Sequence, residues 1–420
     1  MKNKHIFKFG ATTLLPLMHL SAACVSNEEN WDSEITISNA WINEGFQNTT
    51  KEAEFLETIT KRFNELKNQR SDTKNMPNVS FKIAVNYDKN LMLNNLKADK
   101  ITDDVAILPY SLFAEELKNQ NNIDNFAPKL IANTNTLQFT WSIPDNAKYV
   151  DGSLENDPLR QGANAENEKQ FKAFGEFPNW YSSNETTLQW DGSKYKTFYK
   201  SNQTTGEYHG AIIISGNKAQ RSQIIEAWNS KNWNDFISHG IIFKKNSSGS
   251  GYKYQIALLS KHFNKSIDAI NQELNQENNQ NVLKGSDPIK QIGKIQNTNQ
   301  KAYHIGFVTE GEFNWTESKE NTNKFRPTNY NAELANDYEN ETNDVVRLLT
   351  LTEAAPYDAV LGRAGLNEKQ KELLQATLSS LSIEENLYGI YTGYNKFIEL
   401  DKDLFAKSIQ KQLKAEGHDE

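Results

Sequence analysis

The chain has 420 residues, a formal charge of −8 and a mean hydropathy of −0.73. This length is enough for a large hydrophobic core in more than one domain. The polar, acidic composition is typical of a globular protein and argues against a dedicated nucleic-acid binder, which usually carries a basic face. The single cysteine, Cys24, excludes an intrachain disulfide and a cysteine-ligated metal site.

The N-terminus has the layout of a bacterial secretion signal. Three lysines accompany a mainly apolar stretch over residues 6–20, which is short for a membrane span. Small residues at positions 21–23 then lead into Cys24, an arrangement that resembles a lipobox. We therefore expect a signal peptide over residues 1–23, lipid attachment (palmitate included) at Cys24 and a tether over residues 24–30. An ordinary signal peptide with an incidental cysteine is the alternative.

The first part of the mature chain alternates predicted strands and helices. β-branched and apolar runs predict strands at residues 34–38, 79–85 and 105–108. Helical spacing of apolar residues predicts helices at residues 52–68, 91–98 and 111–118. This rhythm favours an α/β fold with a mostly parallel sheet.

The rest of the chain predicts a second α/β unit. Residues 145–187 are rich in Asn, Gly, Pro and acidic residues and are predicted to contain long loops. Further strands are predicted at residues 211–215, 240–243, 304–308, 345–350 and 359–361. Further helices are predicted at residues 218–228, 255–262, 368–381 and 401–413, and residues 272–300 are predicted as a helix tail with a solvated loop. The sequence thus predicts two α/β units in series. The final segment of the chain can return to the first unit.

A loop rich in serine and glycine is the sharpest local signal. Ser247, Ser248, Ser250, Gly251 and Tyr252 lie between a predicted strand and a predicted helix. Free N–H groups and the dipole at a helix N-terminus favour an anion, and the serine hydroxyls add neutral donors. A phosphate or phosphonate group fits this chemistry. A plain linker is the alternative, since Gly/Ser strings often form loops.

Aromatic residues lie next to several predicted strand ends. Those selected as candidate ligand contacts are Trp41, Tyr110, Trp180, Tyr208 and Trp315. In open α/β sheets the carboxyl ends of strands line the ligand crevice. Flat heterocycles stack on such rings, and a cationic ring also gains cation–π attraction. Taken singly, each ring is equally compatible with the core.

The sequence carries no familiar catalytic motif. Its histidines are scattered, and it has no zinc-protease spacing, nucleophile elbow or phosphate-binding P-loop. We therefore expect neither an enzyme nor a catalytic cofactor. An enzyme acting on nutrients at the cell surface is the alternative, and it would need clustered acidic or histidine metal ligands.

Several short blocks carry a family resemblance. They are Ser38-Asn-Ala-Trp41, Tyr149-Val-Asp-Gly152, Asp157-Pro-Leu159, Ala227-Trp-Asn229 with Trp233, Gly306 to Trp315, Pro356-Tyr-Asp358, Tyr388-Gly389 and Gly393-Tyr-Asn395. With these blocks the sequence resembles the mycoplasmal extracytoplasmic thiamine-binding lipoproteins, also called high-affinity transport system lipoproteins. The resemblance extends over nearly the whole mature chain.

The resemblance implies a type II periplasmic-binding-protein fold, in which two α/β lobes are joined by crossing strands. Lobe I would comprise residues 31–210 and 351–420, and lobe II residues 211–350. In the wider phosphate- and phosphonate-type binding proteins, a Ser-x-Ser-Gly-Tyr loop opens a helix and holds the anion. Residues 248–252 are similar to it, with Gly249 where those relatives often have threonine.

The implied function is capture of thiamine pyrophosphate or thiamine for an ABC importer. The protein would be a monomer, lipid-anchored on the extracytoplasmic face of the membrane, and would work with a permease and an ATPase. The serine loop would hold the pyrophosphate, while Trp41, Tyr110, Tyr208 or Trp315 would stack on the rings. Asp358 or Glu310 would meet the aminopyrimidine or the thiazolium charge. A phosphonate or other organophosphate ligand and a surface adhesin are the alternatives; the phosphorylation state and a divalent cation stay open.

Overall fold

The computed structural model describes residues 30–43, 45–144, 146–176, 198–315 and 324–418. The predicted signal peptide, tether and lipidated Cys24 lie outside these residues. Within the described ranges, no helix has the length and apolar character needed to cross a membrane.

The strands are short and mostly buried. In chain order they are β1 (Glu34–Asn39), β2 (Ser80–Val85), β3 (Val105–Leu108), β4 (Lys129–Phe139), β5 (Tyr199–Thr205), β6 (Glu207–Tyr208), β7 (Gly210–Gly216), β8 (Ile241–Phe243), β9 (Val282–Lys284), β10 (Ile305–Thr309), β11 (Val345–Leu351), β12 (Ala355–Pro356), β13 (Ala359–Gly362) and β14 (Lys396–Glu399).

The helices alternate with these strands. They are α1 (Thr50–Gln69), α2 (Lys89–Lys97), α3 (Gln120–Asp124), α4 (Pro158–Phe174), α5 (Lys218–Asn229), α6 (Trp233–Ser238), α7 (Tyr254–Phe263), α8 (Ile267–Asn275), α9 (Pro288–Gln291), α10 (Glu368–Ser380), α11 (Leu387–Thr392) and α12 (Lys402–Ala415). Many begin at a polar cap: Thr49, Asp88, Asp157 and Asp401 each accept a hydrogen bond from an N–H of the first turn. These bonds satisfy N–H groups that have no partner inside the helix.

Two main sheets are present among the described residues. The first has the order β14-β4-β13-β3-β1-β2, with β5 pairing on β4, and the second has the order β11-β7-β10-β8-β9. A short antiparallel pair, β6 and β12, lies in the segments that connect them. We call the unit around the first sheet lobe I and the unit around the second lobe II. The predicted α/β class is confirmed.

Alternation along β3 explains how lobe I buries both faces of its sheet. Val105 and Ile107 belong to one hydrophobic cluster with residues of α1 and α10. Ala106 and Leu108 belong to another, with residues of α2 and α12. Because successive side chains of a strand point to opposite faces, one apolar run can serve two layers of helices.

Helix α4 differs from the sequence-based expectations in two ways. It is a regular helix where long loops were predicted, and it packs in lobe II although residues up to 210 were expected in lobe I. Leu159 and Ala163 lie in the same core as Ile212 of β7. The Asn167 side chain also bonds the backbone N–H and C=O of Leu348 in β11, at 2.8 and 2.9 Å. These contacts tie α4 to the second sheet.

The prediction of a helix at residues 111–118 is also wrong. A short 3₁₀ turn at Tyr110–Leu112 follows β3, and the chain then continues in turns as far as α3. Later in the chain, β13 and β14 lie within the first sheet, so residues 359–399 return to lobe I.

Candidate ligand-binding cleft

Asp358 lies at the edge of the first sheet where its parallel strands end. It directly precedes β13, whose first residue Ala359 pairs with Leu108, the last residue of β3. The Asp358 carbonyl accepts hydrogen bonds from the N–H and the hydroxyl of Thr134, both at 2.9 Å. These bonds fix the backbone, while the carboxyl side chain stays half-buried at the sheet edge.

Tyrosine side chains surround the Asp358 carboxyl. The Tyr394 hydroxyl donates to Asp358 Oδ2 at 2.6 Å, and the neighbouring Tyr388 hydroxyl accepts from Asn39 Nδ2 at 2.6 Å. Burial raises the pKa of Asp358, and the nearby charge of Lys89 opposes that rise. Burial, followed by the negative charge of Asp358, raises the pKa of Tyr388 and of Tyr394. A carboxylate in poorly hydrated, aromatic surroundings is suited to a bound organic cation.

Three further tyrosines connect the two lobes. The Tyr208 hydroxyl, in β6, lies 3.0 Å from the Tyr254 hydroxyl at the start of α7. The Tyr208 ring centroid lies 5.0 Å from that of Tyr357, the residue before Asp358. Gln412 of α12 in lobe I donates through Nε2 to the Tyr254 hydroxyl at 2.9 Å. Tyr254, Tyr208 and Tyr357, which we call the tyrosine row, therefore lead from lobe II to Asp358.

The serine loop lies at the lobe II end of the tyrosine row. The Ser248 hydroxyl accepts from the Gly251 N–H at 3.2 Å, and the Ser250 and Thr309 hydroxyls are 2.7 Å apart. A Cβ atom on Gly249 would lie 2.7 Å from the Tyr254 hydroxyl, so the loop backbone lies against the row. Because the Ser248 oxygen serves as an acceptor there, its own proton can still be donated to a ligand.

Two predicted contacts are core residues instead. Tyr252 is 3% exposed, its hydroxyl donates to Asn271 at 2.8 Å, and its ring lies 4.6 Å from that of Phe243. Tyr110 is completely buried, and its hydroxyl donates to Asn133 at 2.6 Å. Both rings turn inward under their sheet edges, so we remove them from the set of candidate ligand contacts.

The remaining predicted residues have different positions. Trp41, just past β1, is 46% exposed, and Ser247 is exposed in the serine loop. Trp180 and the side chain of Trp315 lie outside the described part of the chain. Glu310 is buried and accepts from Trp141 Nε1 at 2.9 Å, beside Glu166 in the interior of lobe II. Of the two carboxylates suggested for the ligand cation, the tyrosine-lined one is Asp358.

Tyr254, Tyr388, Tyr394 and Asn39 were not selected from the sequence. Tyr254 follows the serine loop by two residues and reads as part of an apolar helix face. The other three fall inside the blocks that carry the family resemblance, which marked them without indicating a role. Their meeting around Asp358 depends on strand pairing between distant segments.

Among the described residues, no cluster of three or more His, Cys, Asp or Glu side chains could hold a metal ion.

Known proteins resemble this chain along most of its length. The family model "CypI: Extracytoplasmic thiamine-binding lipoprotein" matches residues 53–415. High affinity transport system protein p37 of Mesomycoplasma hyorhinis is 31% identical over 392 residues, which are 91% of this chain and 89% of that protein. The protein of the same name from Mycoplasma pneumoniae is 29% identical over 266 residues, 61% of this chain and 64% of that protein.

A solved structure supports the same relationship. Mh-p37 of Mycoplasma hyorhinis, for which thiamine pyrophosphate transport has been proposed, superposes with a TM-score of 0.71 at 27% sequence identity. The match covers 90% of this chain and 99% of that one. The fold is accordingly of the type II periplasmic-binding kind. The chain belongs to the family of extracytoplasmic thiamine-binding lipoproteins.

Proposed function

We propose that this protein is the substrate-binding component of an ABC importer and captures thiamine pyrophosphate or thiamine between its lobes. The observation that carries the ligand assignment is the tyrosine row between the serine loop and the Asp358 carboxyl. Membership of a thiamine-binding family and the similarity to high-affinity transport proteins support it.

The chemistry of the ligand matches the two ends of the row. Thiamine pyrophosphate has an anionic diphosphate, a cationic thiazolium ring and a flat aminopyrimidine. The serine loop offers hydroxyl and backbone donors at the start of a helix, where an anion is stabilised. Asp358 offers a negative charge, and the half-buried rings of Tyr208, Tyr357 and Tyr394 offer π faces for a cation. A phosphonate would use the serine loop and leave Asp358 without a cation.

Function in transport requires reversible binding without a change in any covalent bond. The lobes would close on the ligand through the segments that contain β6 and β12, and the closed form would dock on the permease. We further propose that Cys24 carries the lipid that holds the protein on the extracytoplasmic face of the membrane. Because α4 packs on β7 and β11, we propose that residues 158–176 belong to lobe II together with residues 210–315 and 324–351.

Thermal unfolding with a panel of ligands tests this proposal. The protein from residue 25 onward would be unfolded with thiamine, thiamine pyrophosphate, methylphosphonate and no ligand. A ligand at 100 times its dissociation constant stabilises by about 2.7 kcal/mol, which raises the midpoint by several degrees. We expect both thiamine compounds to raise it, the pyrophosphate more strongly. A shift with methylphosphonate alone would contradict the vitamin assignment, and no shift with any compound would reject both.

A further inference from the structure

Arg160, in the first turn of α4, is a buried cation that has no bonding partner in the described part of the chain. Its side chain is 7% exposed, and its Nε atom is enclosed without an acceptor. Within the described ranges, the guanidinium makes no hydrogen bond or ion pair. A buried guanidinium left in this state is strongly unfavourable. Nε is the enclosed atom, and the terminal nitrogens of the guanidinium stay open to an acceptor from outside the chain.

The nearest negative charge cannot serve as that acceptor. Asp157 Oδ2 already accepts from three backbone N–H groups, those of residues 150, 151 and 152, at 2.8, 3.2 and 2.9 Å. Its Oδ1 accepts from the Leu159 N–H at 2.9 Å, as the cap of α4. Asp157 thus holds a turn and a helix start together. It acts on Arg160 only through its charge, which opposes the lowering of the Arg160 pKa to about 10 by burial.

The start of α4 lies at the end of the second sheet where β11 finishes. Two residues further along α4, a Cβ atom on Gly162 would lie 3.0 Å from Leu351 Cδ1. Leu351 ends β11, and the next residue, Thr352, accepts through its hydroxyl from the Gly210 N–H at 2.8 Å. Gly210 in turn lies against the Ser250 carbonyl, which is 2.9 Å from a Cβ atom built on Gly210. The start of α4 and the serine loop therefore share one end of the second sheet.

We propose that Arg160 is the cationic centre of an oxyanion-binding site at the start of α4, which takes a phosphate or sulfate group. A planar guanidinium can hold such a group through two parallel N–H bonds. The positive end of the α4 dipole adds to the attraction, whereas the Asp157 carboxylate that caps this end opposes it. The group comes either from a free ion or from a phosphorylated ligand in the cleft. This site is additional to the serine loop and does not depend on the thiamine assignment.

The test compares Arg160→Gln and Arg160→Lys with the wild type and with the Ser248→Ala/Ser250→Ala protein. In one arm, unfolding midpoints are measured against inorganic phosphate, with sodium chloride keeping the ionic strength constant. In the other arm, calorimetry measures the affinity for thiamine and for thiamine pyrophosphate. Arg160→Gln removes an unpaired buried charge and is expected to fold, which circular dichroism checks; Arg160→Lys keeps the charge but not the fork geometry.

We expect Arg160→Gln to lower the affinity for the phosphate group by about ten-fold or more, as loss of a charge-assisted hydrogen bond does. Arg160→Lys should recover part of it, and thiamine binding should be unchanged. If Arg160→Gln loses affinity for inorganic phosphate and the serine variant keeps it, the site binds a free ion. If Arg160→Gln loses affinity for thiamine pyrophosphate alone, the site binds the phosphate of that ligand. Wild-type behaviour of Arg160→Gln in both arms would overturn the proposal. If thiamine compounds bind to none of the proteins, the proposed function fails while the phosphate arm still decides on Arg160.

Discussion

The two ends of the tyrosine row are built in opposite ways. The serine loop is a local feature: its donors lie within six consecutive residues, and a strand and a helix position them. The Asp358 end is assembled from distant segments, since Asn39 ends β1, Asp358 precedes β13, and Tyr388 and Tyr394 belong to the segment around α11. The loop offers neutral dipoles, whereas Asp358 offers a half-buried charge. A short motif therefore reveals the first end, and tertiary structure is needed to find the second.

The largest expected effect comes from Asp358→Asn. Removal of one partner from a desolvated charge pair typically costs about 2–5 kcal/mol, so the affinity for thiamine and for its pyrophosphate should fall by roughly 100-fold or more. The same change should stabilise the ligand-free protein at neutral pH. Burial raises the Asp358 pKa, so the folded state favours the protonated form and loses stability as the pH rises. Calorimetry and thermal unfolding measure the two effects.

Asp268→Asn is the matched control for this charge removal. Asp268 is exposed on α8, away from the tyrosine row. It should change neither the affinity nor the midpoint appreciably. If Asp358→Asn bound both ligands as tightly as the wild type does, Asp358 would not be the residue that holds the cation of the ligand.

A smaller effect, restricted to phosphorylated ligands, is expected from Ser248→Ala with Ser250→Ala. Loss of neutral donors should weaken thiamine pyrophosphate binding by about ten-fold and leave thiamine binding unchanged. Ser230→Ala with Ser238→Ala is the control, because these exposed hydroxyls bond only carbonyls of their own helices, at 2.7 Å. An equal loss for both ligands would show that the loop holds no phosphate.

The pH dependence of binding should separate the two ends further. Because burial raises the Asp358 pKa above its ordinary value, acidification protonates this carboxyl earlier than an exposed aspartate. Thiamine affinity should therefore fall gradually as the pH is lowered from 7, by less than the full effect of Asp358→Asn. The Asp358→Asn protein should show a flatter profile over the same pH range, and parallel profiles would contradict the assigned role.

The smallest expected effect concerns the middle of the row. Tyr254→Phe removes the hydroxyl that meets Tyr208 and Gln412, and should destabilise the fold by about 1 kcal/mol. Tyr87→Phe, on a side chain that is 80% exposed, is the control and should be neutral. Urea unfolding of the ligand-free proteins measures both, and equal stability of the two variants would show that the Tyr254 hydroxyl does not join the lobes.

Periodicity in the sequence was sufficient for the elements with strong apolar patterns. Strand β3 was predicted with its observed bounds, and β7, β8, β10 and β11 within one or two residues. Helix α4 was missed because it is rich in Asn, Gln and Glu, although Asp157 followed by Pro158 is a helix-start signal. Its docking on β11 through Asn167 is a side-chain contact that periodicity cannot predict.

The candidate site was only partly accessible from the sequence for a similar reason. A position just after a strand indicates the sheet edge but not the direction of the ring. Tyr110 enters a 3₁₀ turn that directs it onto Phe405, 5.8 Å away between ring centroids, and Tyr252 packs on Phe243. Tyr394 and Tyr388 reach Asp358 and Asn39 only because lobe I closes around the returning segment.

The most direct test of the account is calorimetric titration of thiamine and thiamine pyrophosphate into three proteins: the wild type, Asp358→Asn and the Ser248→Ala/Ser250→Ala variant. We expect Asp358→Asn to weaken the binding of both ligands by the same factor, and the serine variant to weaken the binding of thiamine pyrophosphate alone. If the serine variant weakened thiamine, or if Asp358→Asn spared it, the assignment of an anion end and a cation end would be contradicted.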